Sequence, residues 1–145
     1  MTPTAPRSFV TQLSVRFGDV DPAGIVYFPK IYDYLHEAFE DLWDVHVGRR
    51  YYYLVGRDKL GFPLVHSEVD FKHPLHFGDR PTVRVTCFKI GRSSIGLCYK
   101  IMLDDILCVF AKMTVVCVDI DTLETRPIPP DYRERFEAIL EEDCA

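Results

Sequence analysis

No apolar run in this chain approaches the roughly 18–20 residues needed to cross a bilayer. Met1 to Ser8 lacks the apolar core of a secretion signal and reads as a frayed tail. The five cysteines include no C-x-x-C pair. Four of them, Cys87, Cys98, Cys108 and Cys117, sit inside apolar runs, and only Cys144 does not. That pattern argues against a zinc site or a disulfide framework. It predicts buried free thiols in a reducing compartment, which places the chain in the cytoplasm. Positive charge is also short, with 17 Lys and Arg against 22 Asp and Glu and a net charge of −5. Lys72-His73 and Lys89 to Arg92 are too sparse for the basic stripe that a nucleic acid requires. The same balance disfavours an anionic membrane, while a ligand with only a few phosphates stays compatible.

What is present is a core. Of the 145 residues, 48% are hydrophobic and 13% aromatic, and the length fits one domain spanning residues 1–145. Phe9 to Phe17 alternates with period two through Val10, Leu13, Val15 and Phe17, which predicts a strand. Gly18 to Gly24 carries turn chemistry, with two Asp, one Pro and two Gly. Ile31, Leu35, Ala38, Leu42 and Val45 then recur at helical spacing as one apolar stripe. Pro29 suits the first helical turn, and Gly48 suits its stop. The spacing of Arg49 to Gly61 fits either a short helix or a packed loop.

From Leu64 the pattern is strand-like. Alternation through Val65 to Phe71, Val83 to Cys87, Ile95 to Ile101 and Ile106 to Val118 is broken by turns at Pro74 to Pro81, Gly91 to Ser94 and Asp104-Asp105. The last run is apolar on both faces and reads as central in the sheet. Asp131 to Glu142 reads as a short amphipathic helix. Short turns demand antiparallel neighbours, so the order predicts an α+β fold with one long helix on one face of the sheet. Apolar residues at both parities predict that a second subunit covers what remains.

The run Phe17-Gly18-Asp19-Val20-Asp21-Pro22-Ala23-Gly24-Ile25-Val26-Tyr27-Phe28-Pro29 closely resembles the opening motif of the 4-hydroxybenzoyl-CoA thioesterases of the hot-dog fold. Pro63 to Asp79 is similar to that family's second strand and following turn. With the element order, the resemblance covers roughly Phe9 to Asp119. It implies a five-stranded antiparallel sheet wrapped around one long helix, assembled as a homodimer or homotetramer with active sites at subunit interfaces. It implies hydrolysis of an acyl-CoA thioester with no metal and no cofactor.

It also implies site roles. Asp21 aligns with the catalytic carboxylate, acting as nucleophile or as general base for water. The backbone amides of Phe28 first, and Tyr27, are the expected oxyanion donors at the helix start. Gly24 lets substrate pass close to backbone. Read on its own, Asp-Pro-x-Gly is equally a type I turn, and Asp19 is a rival carboxylate better suited to supporting that turn. His36 stands where the 4-hydroxybenzoyl branch carries an acid against the substrate phenol. A histidine there either bonds an acyl oxygen or is satisfied at the helix–sheet boundary. Ser67 or Glu68 could hold water or substrate, whereas His66 and Ser67 point to opposite faces and cannot form a triad. Arg92, Ser93, Ser94 and Lys89 fall near the family's CoA phosphate site, with Lys72 and His73 on the rim.

The leading expectation is therefore an acyl-CoA thioesterase for an aromatic or medium-sized acyl group such as 4-hydroxybenzoyl. The 1,4-dihydroxy-2-naphthoyl and short aliphatic esters are the alternatives. A CoA-ester binding module without turnover and a hot-dog dehydratase are the competing classes.

Overall fold

The computed structural model describes residues 7–144, so most of the expected N-terminal tail lies outside the described residues. The chain runs β1 (Phe9–Gln12), a 3-10 turn (Phe17–Asp19), α1 (Phe28–Asp41) continued by a π-helical turn (Leu42–Val47), and α2 (Tyr51–Gly56). There follow β2 (Leu60–Gly61), β3 (Leu64–Phe71), β4 (Thr82–Ile90), β5 (Ser94–Leu103), β6 (Ile106–Val116), β7 (Val118–Asp119) and α3 (Pro130–Glu137). Five strands form one sheet in the order β1-β4-β5-β6-β3, every neighbouring pair antiparallel. With α1 across one face this is the hot-dog arrangement, α+β, that the opening motif led us to expect. Among the described residues no helix is long and apolar enough to cross a membrane.

Register assigns the two faces. Cross-strand partners share a face, so Phe71, Val109, Ile101 and Val83 form one rung, and Val69, Ala111, Tyr99 and Val85 the next. Ser67, Met113, Leu97 and Cys87 form the third. All of these but Phe71 and Ser67 pack with Ile31, Tyr34, Leu35, Ala38 and Phe39 of α1 in the core. Each such side chain taken fully from water contributes about 1.5–3 kcal/mol. Ile106–Val116 is an interior strand, but β5 is the middle one.

Three expectations need correction. Helical spacing carries the apolar stripe to Val45, yet Val45 is 71% exposed, while Trp43 and Val47 are buried. The cause is the π turn, which inserts a residue and rotates the following side chains out of α-helical phase. Gly48, at φ 86°, ends the segment with its N–H on the Trp43 carbonyl at 2.9 Å. The first strand stops at Gln12 instead of Phe17. Leu13 N–H still bonds the Pro81 carbonyl at 2.9 Å, but Pro81 has no N–H to return to the ladder. Finally, Cys98 and Cys144 are joined as a disulfide, not free. Cys87, Cys108 and Cys117 are the buried free thiols, and burial pushes the Cys87 thiol up to about 12.

The disulfide ties the C-terminal segment to the sheet face away from α1. The same segment extends the β4 edge past β1, since Cys87 N–H bonds the Ile139 carbonyl and Glu141 N–H bonds the Cys87 carbonyl.

Candidate active site

The loop between the 3-10 turn and α1 is a small hairpin. Val20 bridges Val26, the Asp21 N–H donates to the Ile25 carbonyl at 2.9 Å, and the Gly24 N–H returns to the Asp21 carbonyl at 2.9 Å. Gly24 has φ 81°, a left-handed conformation that glycine adopts without a Cβ penalty. The Asp21 side chain locks this turn, since Oδ1 accepts the Ala23 N–H at 2.8 Å and the Ile25 N–H at 3.4 Å. Among the described residues its Oδ2 has no partner. The turn reading and the carboxylate reading are thus compatible: one oxygen builds the loop and the other is left over.

Asp19 braces the loop from the other side. Its Oδ2 accepts the Tyr34 hydroxyl at 2.6 Å and the Arg16 N–H at 3.1 Å. Burial works to raise its pKa, but these two bonds with the charges of Lys30 and Arg16 outweigh that and hold it below 3.8. Both bonds fall on Oδ2, and through that oxygen Asp19 braces the loop against α1.

At the start of α1 the two expected amides differ. Tyr27 N–H is already given to the Asp19 carbonyl at 2.9 Å. Pro29 has no N–H, and Lys30 N–H turns back to the Tyr27 carbonyl at 2.8 Å. The Phe28 amide has no partner among the described residues, so it is the available donor of this helix end. Phe28 and Tyr27 are 62% and 53% exposed with their rings 5.3 Å apart.

Two depressions follow one another along α1. The first, about 310 Å³, is lined by Ile25, Phe28, Ile31, Phe71 and Val109 among others, so it adjoins the Asp21 loop. The second, about 320 Å³, is lined by Tyr32, Leu35, His36, Phe39, Tyr99 and Met113 among others. Eight residues separate Phe28 from His36, about 12 Å of helix. His36 stands at the mouth of the second depression, 63% exposed, with Nε2 3.6 Å from Glu40 Oε2. Its ring stacks on Phe39.

The remaining expected residues are spread out. Ser67 is on the face toward α1. Glu68 is on the opposite face, in register with Lys112 and 3.3 Å from His66 Nε2, so within one chain it does not join Asp21. His66 and Ser67 do point apart, and no triad forms. The Arg92-Ser93-Ser94 turn, with Lys89 before it, is pinned by Ile128 N–H to the Arg92 carbonyl and Cys117 N–H to the Ser93 carbonyl. Ser94 and Ile95 pair with Val116 and Val115 at the Leu64 end of the sheet, whereas the Asp21 loop adjoins the Phe71 end. From Val109 to Val115 is six residues of strand, about 20 Å.

Sequence reasoning missed Tyr34 and Tyr99. Tyr34 lies one turn beyond Lys30 on α1, a spacing that could have suggested a partner for the loop. Tyr99 reads simply as one apolar member of an alternating strand.

Comparison with known proteins gives a consistent result. The profile of the thioesterase-like superfamily matches residues 15–136. The 1,4-dihydroxy-2-naphthoyl-CoA hydrolase of Nostoc punctiforme is 28% identical over 131 residues, covering 90% of this chain and 87% of that protein. The solved 1,4-dihydroxy-2-naphthoyl-CoA thioesterase of Synechocystis superposes with a TM-score of 0.81 at 26% identity, over 90% of this chain and 96% of that one. A solved gentisyl-coenzyme A thioesterase also superposes with a TM-score of 0.81, at 28% identity over 88% of this chain and 99% of that one. A match over residues 15–136 takes in the Asp21 loop, α1 and the whole sheet but for β1, and on that ground the chain belongs to the thioesterase-like superfamily.

Proposed function

We propose that the chain hydrolyses an acyl-CoA thioester to the free acid and CoA, with Asp21 as the catalytic carboxylate and the Phe28 amide as the oxyanion donor. The observation that carries this reading is one juxtaposition. A carboxylate with Oδ2 unspent pairs through its backbone with Ile25, three residues before a helix-end amide that is also unspent. A developing oxyanion is stabilised by such a preorganised N–H and by the positive end of the helix.

Two routes use these groups. In one, Oδ2 attacks the carbonyl carbon, the C–S bond breaks, CoA leaves as thiolate, and water cleaves the resulting anhydride. In the other, Oδ2 takes a proton from water, whose oxygen attacks the same carbon. Both put negative charge on the carbonyl oxygen at Phe28. Tyr27, its own amide engaged, acts by placing Phe28, and Gly24 keeps the loop open to substrate.

The relatives' names support an aromatic acyl group, and favour 1,4-dihydroxy-2-naphthoyl over 4-hydroxybenzoyl. The apolar depressions beside α1 suit a ring better than a short aliphatic chain. The Arg92-Ser93-Ser94 turn lies about 20 Å from the Asp21 end. A CoA phosphate therefore meets it by lying extended along one chain, or meets a second copy in a homodimer or homotetramer. The cytoplasmic reading now rests on Cys87, Cys108 and Cys117 alone.

The test is thiol release from a panel of acyl-CoAs by purified protein. Aromatic esters turning over faster than acetyl-CoA is the expected result. Binding of CoA esters with no turnover of any would replace the thioesterase reading with that of a binding module. Hydration of crotonyl-CoA would indicate a dehydratase.

A further inference from the structure

Tyr99 sits on β5, the middle strand, and is 2% exposed. Among the described residues its hydroxyl has no hydrogen-bond partner. Buried tyrosine hydroxyls ordinarily find one, and burial alone is what raises the ionisation of this phenol. Trp43 Nε1 is, among the described residues, the side-chain nitrogen or oxygen sealed from solvent without a partner. The Tyr99 oxygen, equally unpartnered, is not sealed, and the open space its residue lines is the 320 Å³ depression beside α1.

That depression is otherwise apolar and aromatic, walled by Phe39, Phe62, Leu35 and Met113. Of the other tyrosines lining it, Tyr32 is exposed, and the half-buried Tyr51 has its hydroxyl held at the wall by the Phe62 N–H, which it accepts at 2.9 Å. His36 is at the mouth and beside Glu40. The position of Tyr99 relative to the Asp21 loop follows from register. Its rung with Ala111 and Val69 is next to the rung of Val109 and Phe71. Val109 and Phe71 line the depression that adjoins Asp21. One rung to the next is two residues, about 7 Å.

We propose that Tyr99 is a specificity-determining residue whose hydroxyl donates a hydrogen bond to an oxygen on the ring end of an aromatic acyl group. The inference rests on the thioesterase reading for the placement of the thioester at the start of α1. A ring packs against Phe39 and Phe62, and one polar group in an apolar wall fixes its orientation. A buried donor with no protein partner is satisfied by a substrate oxygen and left unpaired by the analogue lacking one. That is the arrangement which discriminates strongly.

The experiment compares kcat/KM for 1,4-dihydroxy-2-naphthoyl-CoA against 2-naphthoyl-CoA, and for 4-hydroxybenzoyl-CoA against benzoyl-CoA, in wild type and Tyr99→Phe. In at least one pair the preference for the hydroxylated ester is expected to fall about tenfold or more in Tyr99→Phe. Thermal unfolding serves as the folding control, and Tyr99→Phe should melt at or above the wild-type temperature because it removes an unpaired hydroxyl. Preferences unchanged in both pairs would overturn the proposal, as would a melting point lowered by several degrees, which would reveal a protein partner for the hydroxyl. Equilibrium binding of 1,4-dihydroxy-2-naphthoic and 2-naphthoic acids gives the same comparison without turnover. A wild type that hydrolyses nothing therefore loses the thioesterase reading while Tyr99 is still judged by the binding ratio.

Discussion

The Tyr34 hydroxyl donates to Asp19 Oδ2 at 2.6 Å and so ties the loop bearing Asp21 to the second turn of α1. The same aspartate receives the Tyr27 N–H on its carbonyl. One residue thus sets the loop and the helix start relative to each other. Misplacing reacting groups by about an ångström can cost on the order of a hundredfold in rate. Tyr34→Phe is expected to lower kcat about tenfold or more with KM changed far less. Equal values of kcat in the two proteins would remove Asp19 and Tyr34 from the positioning role.

The same bond makes a pH prediction. Asp19 is held below its ordinary value of 3.8, burial being outweighed by Tyr34, the Arg16 amide and the charges of Lys30 and Arg16. A carboxylate with a depressed folded pKa contributes stability that is present above the unfolded pKa. That contribution is lost as pH falls through the folded one. Tyr34→Phe removes one cause of the depression, so the variant should lose less stability than wild type as pH falls through the acid range, the gap between the two closing toward low pH. Denaturant titrations at a series of pH values below about 5 test the direction. Parallel stability curves across that range would show that the bond does not set this carboxyl.

Asp21→Asn separates the two jobs of Asp21. An amide oxygen at Oδ1 still accepts the Ala23 N–H, so the turn survives, while the charge at Oδ2 is gone. The expected outcome is a loss of about 10² to 10⁴ in kcat with a melting temperature close to wild type. Asp21→Ala should lose both the rate and some of the loop's order. If Asp21→Asn retained its rate, the carboxylate would be a turn residue and nothing more.

The readable parts of this fold are those set by local period and by turn chemistry. Asp21 to Gly24 forms the turn that Asp-Pro-Ala-Gly dictates, and Leu13 and Val15 are buried as alternation requires, whereas Val10, out of phase with them, and Phe17, beyond the end of the strand, are exposed. The helix start at Phe28 was legible from Pro29 after it, whereas the role of its amide came with the family resemblance. What was not legible depends on residues distant in sequence. The Asp19 carbonyl takes the Tyr27 amide only because the hairpin closes. Cys98 meets Cys144 across a separation of 46 residues with no spacing signal. The face on which Glu68 lies follows from its pairing with Lys112, which one strand alone does not reveal.

Val45 is the plainest case, and it can be tested. Helical periodicity puts it in the core and gives Trp43 no special place, but the π turn reverses this, with Trp43 wholly buried among Phe39, Phe62 and Phe136. Val45→Ser should change stability by no more than about 0.5 kcal/mol. Trp43→Ala should cost about 3–5 kcal/mol. Denaturant midpoints for the two variants decide it. A large loss for Val45→Ser would mean that the segment continues as an α-helix.

β3 is an outer strand of the sheet, bonded to β6 on one side only, and Leu64, Val65 and Phe71 on it are 50%, 60% and 54% exposed. A long apolar edge left open pairs with other chains unless something covers it. A second copy would supply a complementary β3, since two such edges can pair antiparallel about a two-fold axis. The first depression beside Asp21 is bounded by Phe71, so a copy seated there would also close that side of the site. The double substitution Val65→Lys and Phe71→Lys puts two positive charges on the β3 edge of each copy. Light scattering should show dimer or tetramer for wild type and monomer for the variant, with acyl-CoA turnover falling in step. A variant that keeps its wild-type mass would exclude β3 as the interface. A monomer with full turnover would mean that one chain completes the site by itself.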